Sequence, residues 1–170
     1  MKNGVKFVIT FALAMVLMLS FRTLALSVHS IKGNGLQPLY QDGDQLLVNR
    51  CSYGLRIEGN RLLPYTRLWR QPVERGDIVV FKATGNLPNG TYIARCIAVP
   101  GDTLSTNKGT LVIPGLKTCA DADYYWLEAI NQLNPVDSRH LGFISEKNII
   151  GRVVSVLYNR KTVLSHIHQP

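Results

Sequence analysis

Three Gly-Asp dipeptides, at 43-44, 76-77 and 101-102, each adjoin a short run of β-branched and apolar residues. Glycine supplies the positive φ of a tight turn, and aspartate bonds nearby backbone donors. Simple turn chemistry accounts for all three pairs; carboxylates spread this way make neither an acid-base pair nor a metal site. Strand signals dominate beyond residue 30: Gln45–Asn49, Asp77–Lys82, Thr91–Val99, Leu111–Ile113 and Ile149–Tyr158. Each is bounded by Gly, Pro, Asn or Asp. The expected fold is a mainly β domain, residues 30–160, followed by a tail, 161–170.

Residues 7–28 form the only long apolar run. A helix crosses the hydrocarbon core in about 20 such residues. Arg22 interrupts the run near one end, where its head group reaches the interface. A cleaved signal peptide is the alternative, with Thr23-Leu24-Ala25 as a weak cleavage site. Against it, Arg22 directly precedes that site and apolar residues continue past it. The expectation is one N-terminal transmembrane helix within residues 1–29, retained as a single-pass anchor. Lys2 and Lys6 keep the short tail cytoplasmic, so the domain faces the outer or periplasmic side.

A formal net charge of +8 over 170 residues implies attraction to anionic surfaces, lipid headgroups first. Nucleic acid ranks low, because no recognition motif accompanies the charge. Cys51, Cys96 and Cys119 contain no Cys-x-x-Cys pair, and an odd number cannot all pair within the chain. A buried thiol is the expectation for Cys51 and Cys96. One disulfide remains possible, and spacing does not choose its partners. His29, His140, His166 and His168 lack metal-ligand spacing, and Lys32-Gly-Asn-Gly is too short for a phosphate loop. Neither metal nor cofactor is expected.

Residues 30–48, with Pro38, Leu39, Gly43, Asp44 and Leu46–Val48 in place, resemble the first motif of type I signal peptidases: Ser-x-Ser-Met-x-Pro-Thr-Leu, then Gly-Asp and an apolar strand. Arg75-Gly-Asp-Ile-Val-Val-Phe81, Tyr92-Ile-Ala-Arg-Cys-Ile-Ala-Val-Pro-Gly-Asp102 and Asn134–Ile144 resemble three later motifs, in the same order. The junction Phe21-Arg22-Thr23-Leu24 is similar to the family's anchor-to-domain junction. The resemblance implies a signal-peptidase-like antiparallel β domain.

It also implies where the chemistry belongs. The family cuts a peptide bond with a serine nucleophile and a neutral, desolvated lysine base. By resemblance the serine position is Gly35 and the lysine position Ala94. The serine that orients the lysine falls on Pro135, and an auxiliary serine falls on Gly33. No hydroxyl or amine remains at the four degenerate positions, whereas Asp137, Ser138 and Arg139 keep the framework end of the last motif. Misalignment is the competing account, but Ser30, Lys32, Ser52, Lys82 and Ser105 do not recreate a Ser/Lys pair in register.

The resemblance further implies a groove in which an extended polypeptide lies beside two strands, here Gly35, Leu36, Pro38, Tyr92, Ile93 and Ala94. Backbone hydrogen bonds would supply the affinity. Between Arg50 and Arg75, six arginines interleave with Tyr53, Tyr65 and Trp69. A solvated loop with packed anchors and a membrane-facing flap stand level as readings of that stretch. Three functions follow. The first is a catalytically silent signal-peptidase relative that binds a secreted or membrane segment in an accessory or assembly role. The second is an active signal peptidase with an atypical site. The third is a structural membrane subunit.

Overall fold

The computed structural model describes residues 2–31, 37, 39–57, 65–83, 90–106, 109–118, 122–131 and 136–159. Helix α1 (Lys2–Ala25) leads directly into strand β1 (Leu26–Ser30). The apolar run of the sequence is therefore not one element. Its last residues pair with β2 (Asp44–Asn49), Leu26 opposite Asn49 and Ser30 opposite Gln45. The helix carries exposed apolar side chains along its length, from Val5 to Leu19. Among the described residues, which leave out the side chains of 21–24, no helix is long and apolar enough to cross a membrane.

The remaining strands are β3 (Leu55–Ile57), β4 (Thr66–Leu68), β5 (Ile78–Lys82), β6 (Thr91–Ala98), β7 (Thr103–Thr106), β8 (Gly109–Val112) and β9 (Tyr124–Glu128). A one-turn helix, α2 (Ser138–Leu141), precedes β10 (Ile144–Ser145). A 3-10 turn (Glu146–Asn148) then leads into β11 (Ile149–Asn159). Seven strands form one sheet in the order β1-β2-β11-β5-β6-β9-β10, and β3-β4 and β7-β8 form two small hairpins. Every pairing recorded among the described residues is antiparallel. The protein is mainly β, as the Gly-bounded strand pattern implies.

The three Gly-Asp turns share one construction. Gly43, Gly76 and Gly101 have φ of 94°, 89° and 90°, values that L side chains rarely adopt. Each following aspartate accepts from the backbone N–H three residues back: Asp44 from Gln41 (2.7 Å), Asp77 from Glu74 (3.2 Å), Asp102 from Val99 (2.8 Å). Closing the turn is the duty that a Gly-Asp pair implies. Each carboxylate in fact has a second one, holding a distant element. Asn159 donates to Asp44 (2.7 Å), Tyr53 to Asp77 (2.8 Å) and Arg75 to Asp102 (2.9 Å).

Both faces of the sheet are covered. One cluster gathers Tyr53, Val73, Val79, Phe81, Ala94, Cys96, Tyr125, Leu127, Ile144 and Ile149. The opposite face gathers Ile31, Leu46, Val48, Val80, Ile150 and Val153, with Tyr40, Ile78, Ile93 and Ile130 against them. Alternation along β5 and β6 sends successive residues to these two clusters. Where β11 crosses β2, a Cβ on Gly151 would lie 2.4 Å from the Asn49 carbonyl oxygen, so only glycine permits that approach.

Candidate functional site

Of the expected site, Gly33, Gly35, Leu36, Pro38 and Pro135 lie outside the described residues, as do Cys119, His166 and His168. The described residues flanking the first motif show where its loop is rooted. Ile31 donates to the Asp44 carbonyl (2.9 Å) and Gly43 to the Ile31 carbonyl (3.1 Å). Ile31 and Tyr40 both pack on the face that carries Ile93.

Ala94 sits on the other face. It pairs with Val79 in the register of β5 and β6 and has no exposed surface. Its methyl group lies in the cluster of Tyr53, Phe81, Tyr125 and Leu127. Tyr92 and Ile93 are half-buried. Tyr92 stacks obliquely on Phe81, with ring centroids 6.1 Å apart. Of the three described groove residues, then, only Tyr92 and Ile93 offer side-chain surface. Ala94 contributes only backbone.

β5 pairs with the whole of Thr91–Arg95, but β9 pairs with β6 only from Arg95 onward, through Arg95–Glu128, Cys96–Leu127 and Ala98–Trp126. β9 ends at Glu128.

The framework residues close the turn beside it. Asp137 caps α2, accepting from the Arg139 backbone N–H (3.0 Å), from Arg139 Nε (2.7 Å) and Nη2, and from the Ala129 N–H (3.2 Å). Burial would raise its pKa. The hydrogen bonds and charge of Arg139 outweigh that and hold it below the usual carboxylate value. Ser138 Oγ accepts from the Leu127 N–H (2.9 Å), so α2 is bound to the end of β9.

Histidines and thiols add no chemistry here. Burial, with Arg50 nearby, lowers the pKa of His29. His140 Nδ1 lies 3.5 Å from Asp137. Burial pushes the Cys96 thiol up to about 12, which keeps it protonated and inert. Cys51 and Cys96 are both free. Among the described residues no His, Cys, Asp and Glu group could hold a metal ion. A cleft of about 390 Å³ lies between Pro72, Pro100, Asp123 and Tyr125, and none of the expected site residues lines it.

The arginine-rich stretch is tied to the domain in its described parts. Tyr53 is buried, and its hydroxyl donates to Asp77, which also meets Arg152 at 3.1 Å. Arg67 donates to the Ile149 carbonyl (2.8 Å), while Arg70 pairs with Glu146 (2.6 Å) and Asp123. Trp69 stands out from this strap, 80% exposed with a φ of 50°. Alternating arginines and aromatics in sequence did not reveal which of them would turn inward.

The antiparallel sheet, the turn-closing aspartates and the Asp137–Arg139 cap define a signal-peptidase-like β domain. The profile of the family described as "Signal peptidase, peptidase S26" matches residues 4–124. The chain belongs to this family. It is 28% identical over 174 residues to "Signal peptidase I" of Leptolyngbya laminosa, covering 89% of this chain and 77% of that protein. It is 25% identical to "Signal peptidase I" of Bacillus caldolyticus, covering 79% and 80%. It is also 26% identical over 179 residues to "Inactive signal peptidase IA" of Staphylococcus aureus strain COL, covering 90% and 91%.

Proposed function

We propose that this protein is a membrane-anchored, catalytically silent signal-peptidase relative that holds an extended polypeptide segment in an accessory or assembly role. One spot carries the reading. Where the family's lysine would stand, β6 has a methyl group enclosed in the core, and β9 pairs with β6 from Arg95 onward. A nucleophile and its base act as one unit, so losing both leaves binding without turnover. The relative named inactive supports the silent reading.

Several observations support the membrane anchor. At 1.5 Å per residue the whole of α1 would extend about 36 Å, enough for a hydrocarbon core of about 30 Å. Its described apolar side chains, from Val5 to Leu19, are exposed. Leu26 and Val28 of β1, at the foot of the helix, are exposed as well. Exposed apolar side chains there suit the lipid interface. The basic N-terminal tail favours an outer-side domain.

Relatives named signal peptidase I without qualification favour a second reading, an active peptidase with an atypical site. One assay separates them. The purified full chain in detergent should bind an extended signal-peptide substrate and release no cleaved product. Turnover would establish the second reading. Neither binding nor turnover would leave a structural membrane subunit. Protease added to intact spheroplasts should digest the domain and spare the N-terminal tail; a soluble mature form starting near Leu26 would remove the anchor.

A further inference from the structure

Trp69 holds a backbone conformation that its side chain disfavours. A φ of 50° is a genuine outlier for a bulky L residue, and the indole is 80% exposed, with Leu68 beside it exposed as well. The strain therefore brings almost no burial of the ring in the domain's own core. A strained residue persists only where its surroundings over-determine it, and here they do. Arg67 donates to the Ile149 carbonyl (2.8 Å), Arg70 pairs with Glu146 (2.6 Å) and Asp123, and the Gln71 N–H donates to the Tyr53 carbonyl (3.2 Å). Beneath the bend lies Gly54, where a Cβ would come 2.5 Å from the Leu68 carbonyl oxygen and 2.7 Å from that of Trp69. The chain is fastened on both sides of residue 69, and the ring is held outward.

This bend is tied to the end of α1. The Arg50 N–H donates to the carbonyl of Ala25, the last residue of the helix (2.8 Å), and the Gly54 N–H donates to the Cys51 carbonyl (2.9 Å), closing the turn between them. One hydrogen-bonded contact, one closed turn and the close approach at Gly54 put the Trp69 backbone within about 20 Å of the helix end. The described apolar side chains of α1 are exposed, and so are Leu26 and Val28 directly after it. They mark lipid as the surface within reach. An indole, apolar in its ring and polar at its N–H, suits the boundary between hydrocarbon and water.

We propose that Trp69, with Leu68, is a second membrane contact of this protein, seated in the headgroup zone of the leaflet from which α1 emerges. The proposal rests on the membrane-anchor reading above and adds where the domain itself touches lipid. A rigid bend keeps the ring in place before lipid is met, so little ordering is lost on contact. Held at both α1 and Trp69, the domain does not swing freely about the helix–strand junction.

The test uses the full chain reconstituted into vesicles of phosphatidylcholine and phosphatidylglycerol and recovered by flotation. The chain has two tryptophans, Trp69 and Trp126, and Trp126 is buried. The wild-type emission minus that of Trp69→Phe therefore reports Trp69, and Trp126→Phe reads the same signal directly. In floated vesicles the Trp69 emission should be blue-shifted from that of indole in water and should lose most of its quenching by aqueous acrylamide. Lipids brominated near the carboxyl end of the acyl chains should quench it more than lipids brominated near the methyl end, as a depth of about 5–10 Å requires. Water-like emission with full acrylamide quenching in floated vesicles would overturn the proposal and leave the anchor standing; it is the result a protein-docking Trp69 would give. Stronger quenching by the methyl-end bromines would overturn the headgroup placement. A chain that fails to float would remove the anchor reading and this proposal with it.

Discussion

The two faces of β6 have had opposite fates. On one, Ala94 joins Tyr53, Phe81, Tyr125 and Leu127 in a closed apolar cluster. On the other, Ile93 and Arg95 remain half-buried beside the roots of the first-motif loop. The difference separates catalysis from recognition. A lysine base needs a desolvated amine with a hydroxyl partner. In the Ala94 cluster, packing fills the space around the methyl group. A strand-binding edge needs only unpaired backbone, and that costs nothing to retain when a side chain is lost. One face can therefore close over while the other stays half-buried.

Restoring the amine should break this contrast most severely. Ala94→Lys would put a charge among apolar side chains with no described partner, and should destabilise the fold by about 4 kcal/mol in urea titrations. The buried amine would have a lowered pKa, so the unfolded state would bind the proton more readily. The destabilisation should then be larger at pH 7 than at pH 10. Adding Gly35→Ser should yield no cleavage of a signal-peptide substrate. A stable, active double variant would show that the Ala94 side is still a catalytic site.

The framework at the end of β9 should come next. Asp137→Ala removes the acceptor for Arg139 and for the Ala129 N–H, at a cost of about 3 kcal/mol. Because the native pKa of Asp137 is depressed, its contribution is present above the unfolded value of about 3.9. It is lost as the pH falls through the native value. The gap between wild type and variant, read from denaturation midpoints, should therefore narrow in acid. A gap independent of pH would mean that the carboxylate charge is irrelevant.

Gly151→Ala should cost about 2 kcal/mol, since the new Cβ meets backbone rather than a movable side chain. An unchanged thermal midpoint would mean that β11 and β2 separate readily. At the small end, Arg75→Ala should leave the midpoint unaltered. The Arg75–Asp102 pair is exposed on the arginine side, and Asp102 keeps its turn bond to Val99.

Strands β2, β5, β6 and β11 were legible because each is a β-branched run stopped by turn residues. β1 was hidden inside a longer apolar run, where hydropathy alone does not mark a change from helix to strand. The aromatic stretch Tyr124–Glu128 carried a β signal that went unread. β3, β4 and β10 are too short to have a period. Residues 35, 94 and 135 could be located only through the ordered motifs, and Ala94 alone of the three lies among the described residues.

What the sequence determined by itself was local. Glycine at 43, 76 and 101 makes positive-φ turns cheap, and the aspartate after each reaches the nearest free N–H. The order of the motifs placed the chain within a family. Only the tertiary structure decided that Asp77 holds Tyr53 and Arg152, that Ala94 faces a closed cluster, and that Arg95 stands opposite both Ile78 and Glu128. These depend on which strands become neighbours and where each stops. A pairing between residues far apart in the chain leaves no mark on either one alone.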